Sequence, residues 1–278
     1  MLATLVIVFR EVIEAGLIVG IVLAASKGAA GRGLWVSLGI LGGLLGACLV
    51  ALFAGRLASM FQGSGQELFN AGILFAAVIM LAWHNVWMAG HGQSIALEMR
   101  KVGGAVAAGR QPMSALAVVV GVAVLREGSE VVLFLYGIAS AGGESSAAML
   151  LGGVLGIAGG ALLSALMYLG LVSIPIRRLF AVTTGLITLL AAGMASQAIG
   201  FLQQAGYLQD LSDPLWDTSA ILPQDSLFGR VLHGLVGYSD SPTGAQLAAY
   251  AATILVIVGL MRLMPARRTP AAGSLAKT

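Results

Sequence analysis

"FREVIEAGLIVGIVLAA", residues 9–25, is an aliphatic stretch that carries three formal charges, Arg10, Glu11 and Glu14, near its start. A counterpart returns as "LREGSEVVLFLYGIASA" at 125–141, with Arg126, Glu127 and Glu130. In each copy the arginine and the second glutamate are four residues apart and the two glutamates three apart, so a helix places all three on one side. A charge at the centre of a membrane helix costs about 2.5–3.5 kcal/mol on insertion scales. Three on one helix must therefore face protein and one another.

The rest of the chain supports a membrane setting. Of 278 residues, 58% are hydrophobic and 10% charged, against roughly 25% charged in soluble domains. Its 39 glycines and 7 prolines suit closely packed membrane helices. The single cysteine, Cys48, lies in an apolar run, which excludes an intrachain disulfide and a cysteine-based metal centre. A crossing needs roughly 20 apolar residues, and spans are predicted near 2–25, 33–55, 67–90, 113–140, 147–172, 179–202 and 246–264. The first lacks a basic start and carries charges in its centre, so it reads as a span and not as a cleavable signal. The predicted fold class is an all-α integral membrane protein with seven transmembrane helices.

Basic residues set the orientation. With the N-terminus outside and the C-terminus cytoplasmic, the inner segments hold Lys27, Arg32, Arg100, Lys101, Arg110, Arg177, Arg178, Arg262, Arg267, Arg268 and Lys277. Outside lie only Arg56 and Arg230, with Glu67, Glu144, Asp210, Asp213, Asp217, Asp225 and Asp240. The net charge of +3 is thus a topology signal and gives no support to nucleic-acid binding.

The two charged stretches align at an offset of 116 residues, Val8, Leu17 and Ala25 matching Val124, Leu133 and Ala141. Each is followed by a glycine-striped span, with Gly39, Gly43, Gly42 and Gly46 in the first half and Gly152, Gly156 and Gly160 in the second. Three crossings separate the copies, so they run in opposite directions. This predicts an inverted repeat of three helices plus three with one C-terminal helix added, an architecture common in transporters. The expected organisation is one permease domain over 1–265, comprising repeats at about 1–112 and 113–202, an outer loop at 203–245 and the last helix at 246–264. A flexible cytoplasmic tail follows at 266–278. The polar stretch 91–112 is expected on the inner side, partly as an interfacial helix.

Four glutamates facing two arginines leave a net charge of −2, which a cation or a proton would offset. Carboxylates suit hard ions such as Mg, Ca, Mn or oxidised iron, and neither motif supplies the His or Cys of a dedicated zinc site. A purely structural ion-pair cluster is the alternative, though apolar packing would hold the helices without the desolvation penalty. His84 and His91, in "LAWHNVWMAGHG", lie towards the inner end of the third span and are candidate exit-side residues, against the ordinary role of interfacial anchors. Trp83 and Trp87 fit an aromatic belt. His233 has no evident partner. Asp217 and Asp225 are candidates for drawing cations in from outside. An intramembrane hydrolase would need a base beside Ser129, and none is placed there, so an enzyme is not expected.

The motifs REVIE (10–14) and REGSE (126–130) resemble the R-E-x-x-E motifs of the oxidase-dependent iron transporter family, and the loop "LWDTSAILPQDSLFGRVLHGLVGYSDSP" (215–242) looks like that family's bacterial branch. The resemblance covers nearly the whole chain. It implies a bacterial inner-membrane permease that moves Fe²⁺ or Fe³⁺ into the cytoplasm. Glu11, Glu14, Glu127 and Glu130 would be iron ligands, and Arg10 and Arg126 the charge-balancing arginines. Iron would be the substrate, with no permanently bound cofactor. The first copy departs from the commoner R-E-G-x-E form, with Val12 where the second has Gly128. The long acidic ectodomain of some members is not in this sequence, which implies capture by a separate periplasmic iron-binding protein or ferroxidase. The alternatives are transport of another hard divalent cation such as Mn²⁺, or proton-coupled cation exchange.

Overall fold

The computed structural model describes residues 1–60, 66–140, 145–171, 176–209 and 211–263. Glu144, Asp210 and the tail at 266–278 lie outside the described residues. The chain is all-helical among the described residues, with α1 (Leu2–Ala25), α2 (Arg32–Met60), α3 (Gln66–Ala107), α4 (Ser114–Ser140), α5 (Ser146–Tyr168), α6 (Ile176–Gln204), the short α7 (Leu227–Val236) and α8 (Gly244–Leu263).

Among the described residues, five stretches are long and apolar enough to cross a membrane, namely Arg32–Arg56, Gln66–Met88, Ser146–Tyr168, Ala181–Gln204 and Gly244–Leu263. The long helices outside this set, α1 and α4, are those that carry Arg-Glu-x-x-Glu. The leucines of α2 and α5 point outward, Leu45, Leu49, Leu52 and Leu150 each being about two-thirds or more exposed. Such a continuous apolar exterior is foreign to a soluble protein and natural against lipid. The chain is a multi-pass membrane protein.

Each motif helix lies along a glycine-striped partner, α1 along α5 and α4 along α2. A Cβ built on Gly156 would sit 2.8 Å from Val8 Cβ and 2.9 Å from Leu5 O. One on Gly43 would sit 2.7 Å from Gly121 O. Absence of a side chain is what lets these backbones touch. Gly156→Val is therefore expected to destabilise the fold by about 1–3 kcal/mol through overpacking. Gly153→Ala, three residues away with nothing within 4 Å of its Cβ, should be neutral or stabilising. Denaturant midpoints of the two variants check the contrast.

The departure at Val12 finds its explanation here. In the second copy Gly128 gives way to Ala47, whose Cβ would lie 2.7 Å from a Cβ on Gly128. In the first copy the bulky partner is Val12, and Gly160 across the interface gives way, a Cβ there lying 2.9 Å from Val12 Cβ. Close approach is kept in both, with the small residue on opposite sides.

The main core joins Ile7, Leu74, Leu81, Phe134, Ile187 and Ile257 from α1, α3, α4, α6 and α8. A second cluster joins Val22, Val36, Val106, Leu116 and Val120. Val106 explains a difference from expectation. Residues 91–107 continue α3 as one 42-residue helix, instead of forming a separate interfacial one. No proline interrupts them, and Gly103 seats this end on Ala25 at the end of α1.

The loop between α6 and α8 is built by its own hydrogen bonds. Ser226 caps α7 through Gly229 N at 3.0 Å, and Gly237 ends it with φ 71°. Thr218 N donates to Asp240 O at 2.8 Å, Gln224 N to Asp240 Oδ2 at 3.0 Å, and Tyr238 Oη to Leu222 O at 2.9 Å. The loop returns to the helices where Gly237 meets Gly193 of α6 backbone to backbone and Tyr250 Oη donates to Val236 O at 2.7 Å.

Candidate metal centre

The i, i+1, i+4 spacing does locally what helix geometry requires. Arg10 Nη1 donates to Glu11 Oε1 at 2.9 Å, and its Nη2 lies 2.9 Å from Glu14 Oε1. Arg10, Glu11 and Glu14 are all buried, at 3% exposure or less. On α4 the arginine is held differently. Arg126 Nε donates to Glu130 Oε1 at 3.2 Å and lies 3.9 Å from Glu127 Oε1, and its side chain is 35% exposed. Its guanidinium rests over the Trp87 ring, 4.2 Å from the centroid, and that ring stacks in turn on His91 at 5.1 Å. Trp87 thus serves as a cation–π platform and not as a belt residue. Trp83 is 68% exposed, as a lipid-facing residue is.

Crossing of α1, α3 and α4 brings the two motifs together around a residue that neither contains. His84 is buried, with Nε2 3.5 Å from Glu14 Oε2 and Nδ1 against Glu130 Oε2. One ligand atom from each of Glu11, His84, Glu127 and Glu130 lies within 4.8 Å of the others. The sequence reading puts His84 at the inner end of its helix on the exit side, whereas its ring sits inside this cluster. A helical histidine at the right depth is indistinguishable in sequence from an anchor. Only the crossing of three helices distinguishes them.

Glu11 Oε2 and Glu127 Oε2 are buried without a hydrogen-bond partner among the described residues. Buried carboxylate oxygens are ordinarily satisfied, so these lone pairs are available to a cation. Two arginines against four glutamates, with His84 neutral, leave the centre at −2, which one divalent ion brings to zero. Ser129 Oγ donates to Arg126 O at 2.8 Å and is committed to its own helix. Asn85, beside His84, is buried with both amide atoms unpartnered among the described residues.

Asp217 and Asp225 stand apart from the cluster, both exposed in the loop between α6 and α8. Asp217 Oδ1 accepts from Ser219 N at 2.8 Å, and hydrogen bonding from the Ser219 side chain and backbone holds its carboxyl below the usual range. His233 has partners after all. Its Nδ1 lies 2.7 Å from Tyr238 O, which can only accept, leaving Nε2 to accept from the Gln197 amide at 3.0 Å. Gln197 is 36 residues away in the chain, which is why no local pattern announces the pair.

The chain is 31% identical over 254 residues to the ferrous iron permease EfeU of Escherichia coli O157:H7, covering 90% of this chain and 91% of that one. Its similarity to ferrous iron permease EfeU of Shigella sonnei (strain Ss046) has the same identity and coverage. To that of Yersinia pestis it is 30% identical over 269 residues, covering 95% and 94%. No solved structure matches significantly. The profile of the Iron permease FTR1 family matches residues 1–270, and with a carboxylate-rich centre buried between its helices the chain belongs to that family of iron-transporting membrane proteins.

Proposed function

We propose that the chain admits ferrous iron from the outer side of the bacterial inner membrane to the cytoplasm. The observation that carries this reading is the convergence of Glu11, His84, Glu127 and Glu130 within 4.8 Å, with Glu11 Oε2 and Glu127 Oε2 left without a hydrogen-bond partner among the described residues. Glu14, bound to Arg10 and 3.5 Å from His84, completes the set. A carboxylate cluster alone suits hard ions, whereas an imidazole nitrogen among the carboxylates favours Fe²⁺ over Mg²⁺ or Ca²⁺. The relatives named above, ferrous iron permeases, point the same way.

In this mechanism α1 and α4 also cross the membrane. At 24 and 27 residues they measure roughly 36 and 40 Å, longer than a hydrocarbon layer of about 30 Å. The halves form an inverted repeat, N-terminus outside and C-terminus inside, a reading supported by the reciprocal grip of α5 on α1 and α2 on α4. Asp217 and Asp225 raise the local cation concentration, and a periplasmic iron-binding protein delivers the ion; a ferroxidase partner would belong to a ferric substrate and is not part of this reading. The glutamates and His84 replace its water shell, while Arg10 and Arg126 limit repulsion among the glutamates before it arrives.

Uptake into proteoliposomes tests this directly. Fe²⁺ under reductant is expected to accumulate in preference to chelated Fe³⁺ and Mn²⁺, and His84→Ala should reduce the Fe²⁺ preference over Mn²⁺ by about tenfold or more. Equal transport of Fe²⁺ and Mn²⁺ by the wild type would replace this reading with a general divalent-cation carrier.

A further inference from the structure

A second charged feature lies at the far end of α3, away from the glutamate cluster. A hollow of about 550 Å³ is lined there by Arg100, Lys101, Gly104, Ala105, Arg110 and Gln111. We propose that it binds a phosphate-bearing anion, of the kind carried by an anionic phospholipid headgroup or by free phosphate.

Three observations carry the assignment. First, Arg100, Lys101 and Arg110 are exposed and make no ion pair among the described residues, although Glu98 stands on the same helix. Favourable placement against the helix dipole accounts for Arg110 at most, because that effect falls off within the last turn. Arg100 and Lys101 precede Ala107, the end of α3, by more than one turn.

Second, the turn is built to return a cation to the helix side. Gly109 takes φ 69°, Gly109 N donates to Val106 O at 3.0 Å, and Arg110 N donates to Ala105 O at 2.8 Å. This Schellman-type closure satisfies two terminal carbonyls and so weakens the local negative end. The floor is open, a Cβ on Gly104 meeting nothing within 4 Å. Two guanidinium forks, an ammonium and the Gln111 amide together match the several oxygens of one phosphate.

Third, the hollow sits at the right depth for a headgroup. Gly103 packs on Ala25, the last residue of α1. Since α1 is slightly longer than the hydrocarbon layer, its end lies at the membrane border. Basic pockets at that level are where anionic headgroups are held.

The test is native mass spectrometry of the purified full chain, counting phosphatidylglycerol retained in excess phosphatidylcholine. Wild type is expected to retain phosphatidylglycerol selectively, and the triple variant R100Q/K101Q/R110Q to bind it about 100-fold more weakly, at the usual contribution per basic residue. Lys27→Gln, exposed at the same end but outside the hollow, should bind as wild type does. Displacement of the lipid by millimolar inorganic phosphate would identify a soluble anion as the ligand, and resistance to it a tethered headgroup. Undiminished binding in the triple variant, or an equal loss in Lys27→Gln, would overturn the site. If the triple variant loses its helical circular dichroism, Arg110→Gln alone carries the test, with an expected loss of about fivefold.

Discussion

Glu127→Gln is expected to lower ferrous iron uptake by about 100-fold or more while leaving the protein as stable as wild type or slightly more so. The two halves of this expectation have different causes. Glu127 is 3% exposed, its Oε2 has no hydrogen-bond partner among the described residues, and its nearest cation, Arg126, is 3.9 Å away. A buried carboxylate so poorly paired contributes little to folding and is a desolvation liability. The isosteric amide removes that liability. It also removes an anionic donor from the cluster, and changes even to outer-sphere partners of metal ligands cost 10–100-fold. Uptake in proteoliposomes, measured beside the denaturant midpoint, separates transport from folding. Loss of stability with uptake retained would return Glu127 to a structural role. Glu14→Gln and Glu130→Gln should also abolish uptake, but each carboxylate contacts its arginine, at 2.9 and 3.2 Å, so these variants should lose stability as well.

Arg10→Met is expected to have the largest effect on stability, a loss of about 3–5 kcal/mol, the range for breaking a buried ion pair by removing one partner. Arg10 is 1% exposed and holds two carboxylates at 2.9 Å each, so its removal leaves both charges buried and uncompensated. The equivalent change in the other motif, Arg126→Met, should cost no more than about 1 kcal/mol. Arg126 is only partly buried, engages through Nε, and shares its charge with the Trp87 face. Adding Glu11→Gln to Arg10→Met should restore part of the loss, because one of the stranded charges is gone. Denaturant midpoints of the four proteins decide it. Equal losses for the two arginines would contradict the unequal burial described here.

Helix identity and the facing of the charges were legible because both depend on spacing along one chain. Arg-Glu-x-x-Glu at i, i+1 and i+4 defines one helical face wherever it occurs, and the penalty for charge in lipid turns that face inward. The glycine stripes of α2 and α5 were legible for the same reason, since four-residue spacing marks a contact face without naming its partner. That α5 takes α1 and α2 takes α4 is a matter between elements, and no local pattern contains it.

His84 marks the boundary most clearly. From sequence it is one histidine near the end of an apolar span, equivalent to His91 a few residues on. In the fold it lies against Glu14 and Glu130, while His91 stacks on Trp87. The continuation of α3 to Ala107 and the pairing of His233 with Gln197 belong to the same class. Each depends on what packs against a residue from a distant part of the chain.

By itself, then, the sequence determined a helical membrane protein with two buried copies of one charged motif, because helix period and the energetics of charge in lipid act locally. Tertiary structure decided which carboxylates meet, that an imidazole joins them, and that Arg10 is sealed while Arg126 stays partly open. Those outcomes follow from helix crossings, and a crossing is set by close packing on both sides of an interface, which residues such as Gly160 opposite Val12 and Gly128 opposite Ala47 provide only together.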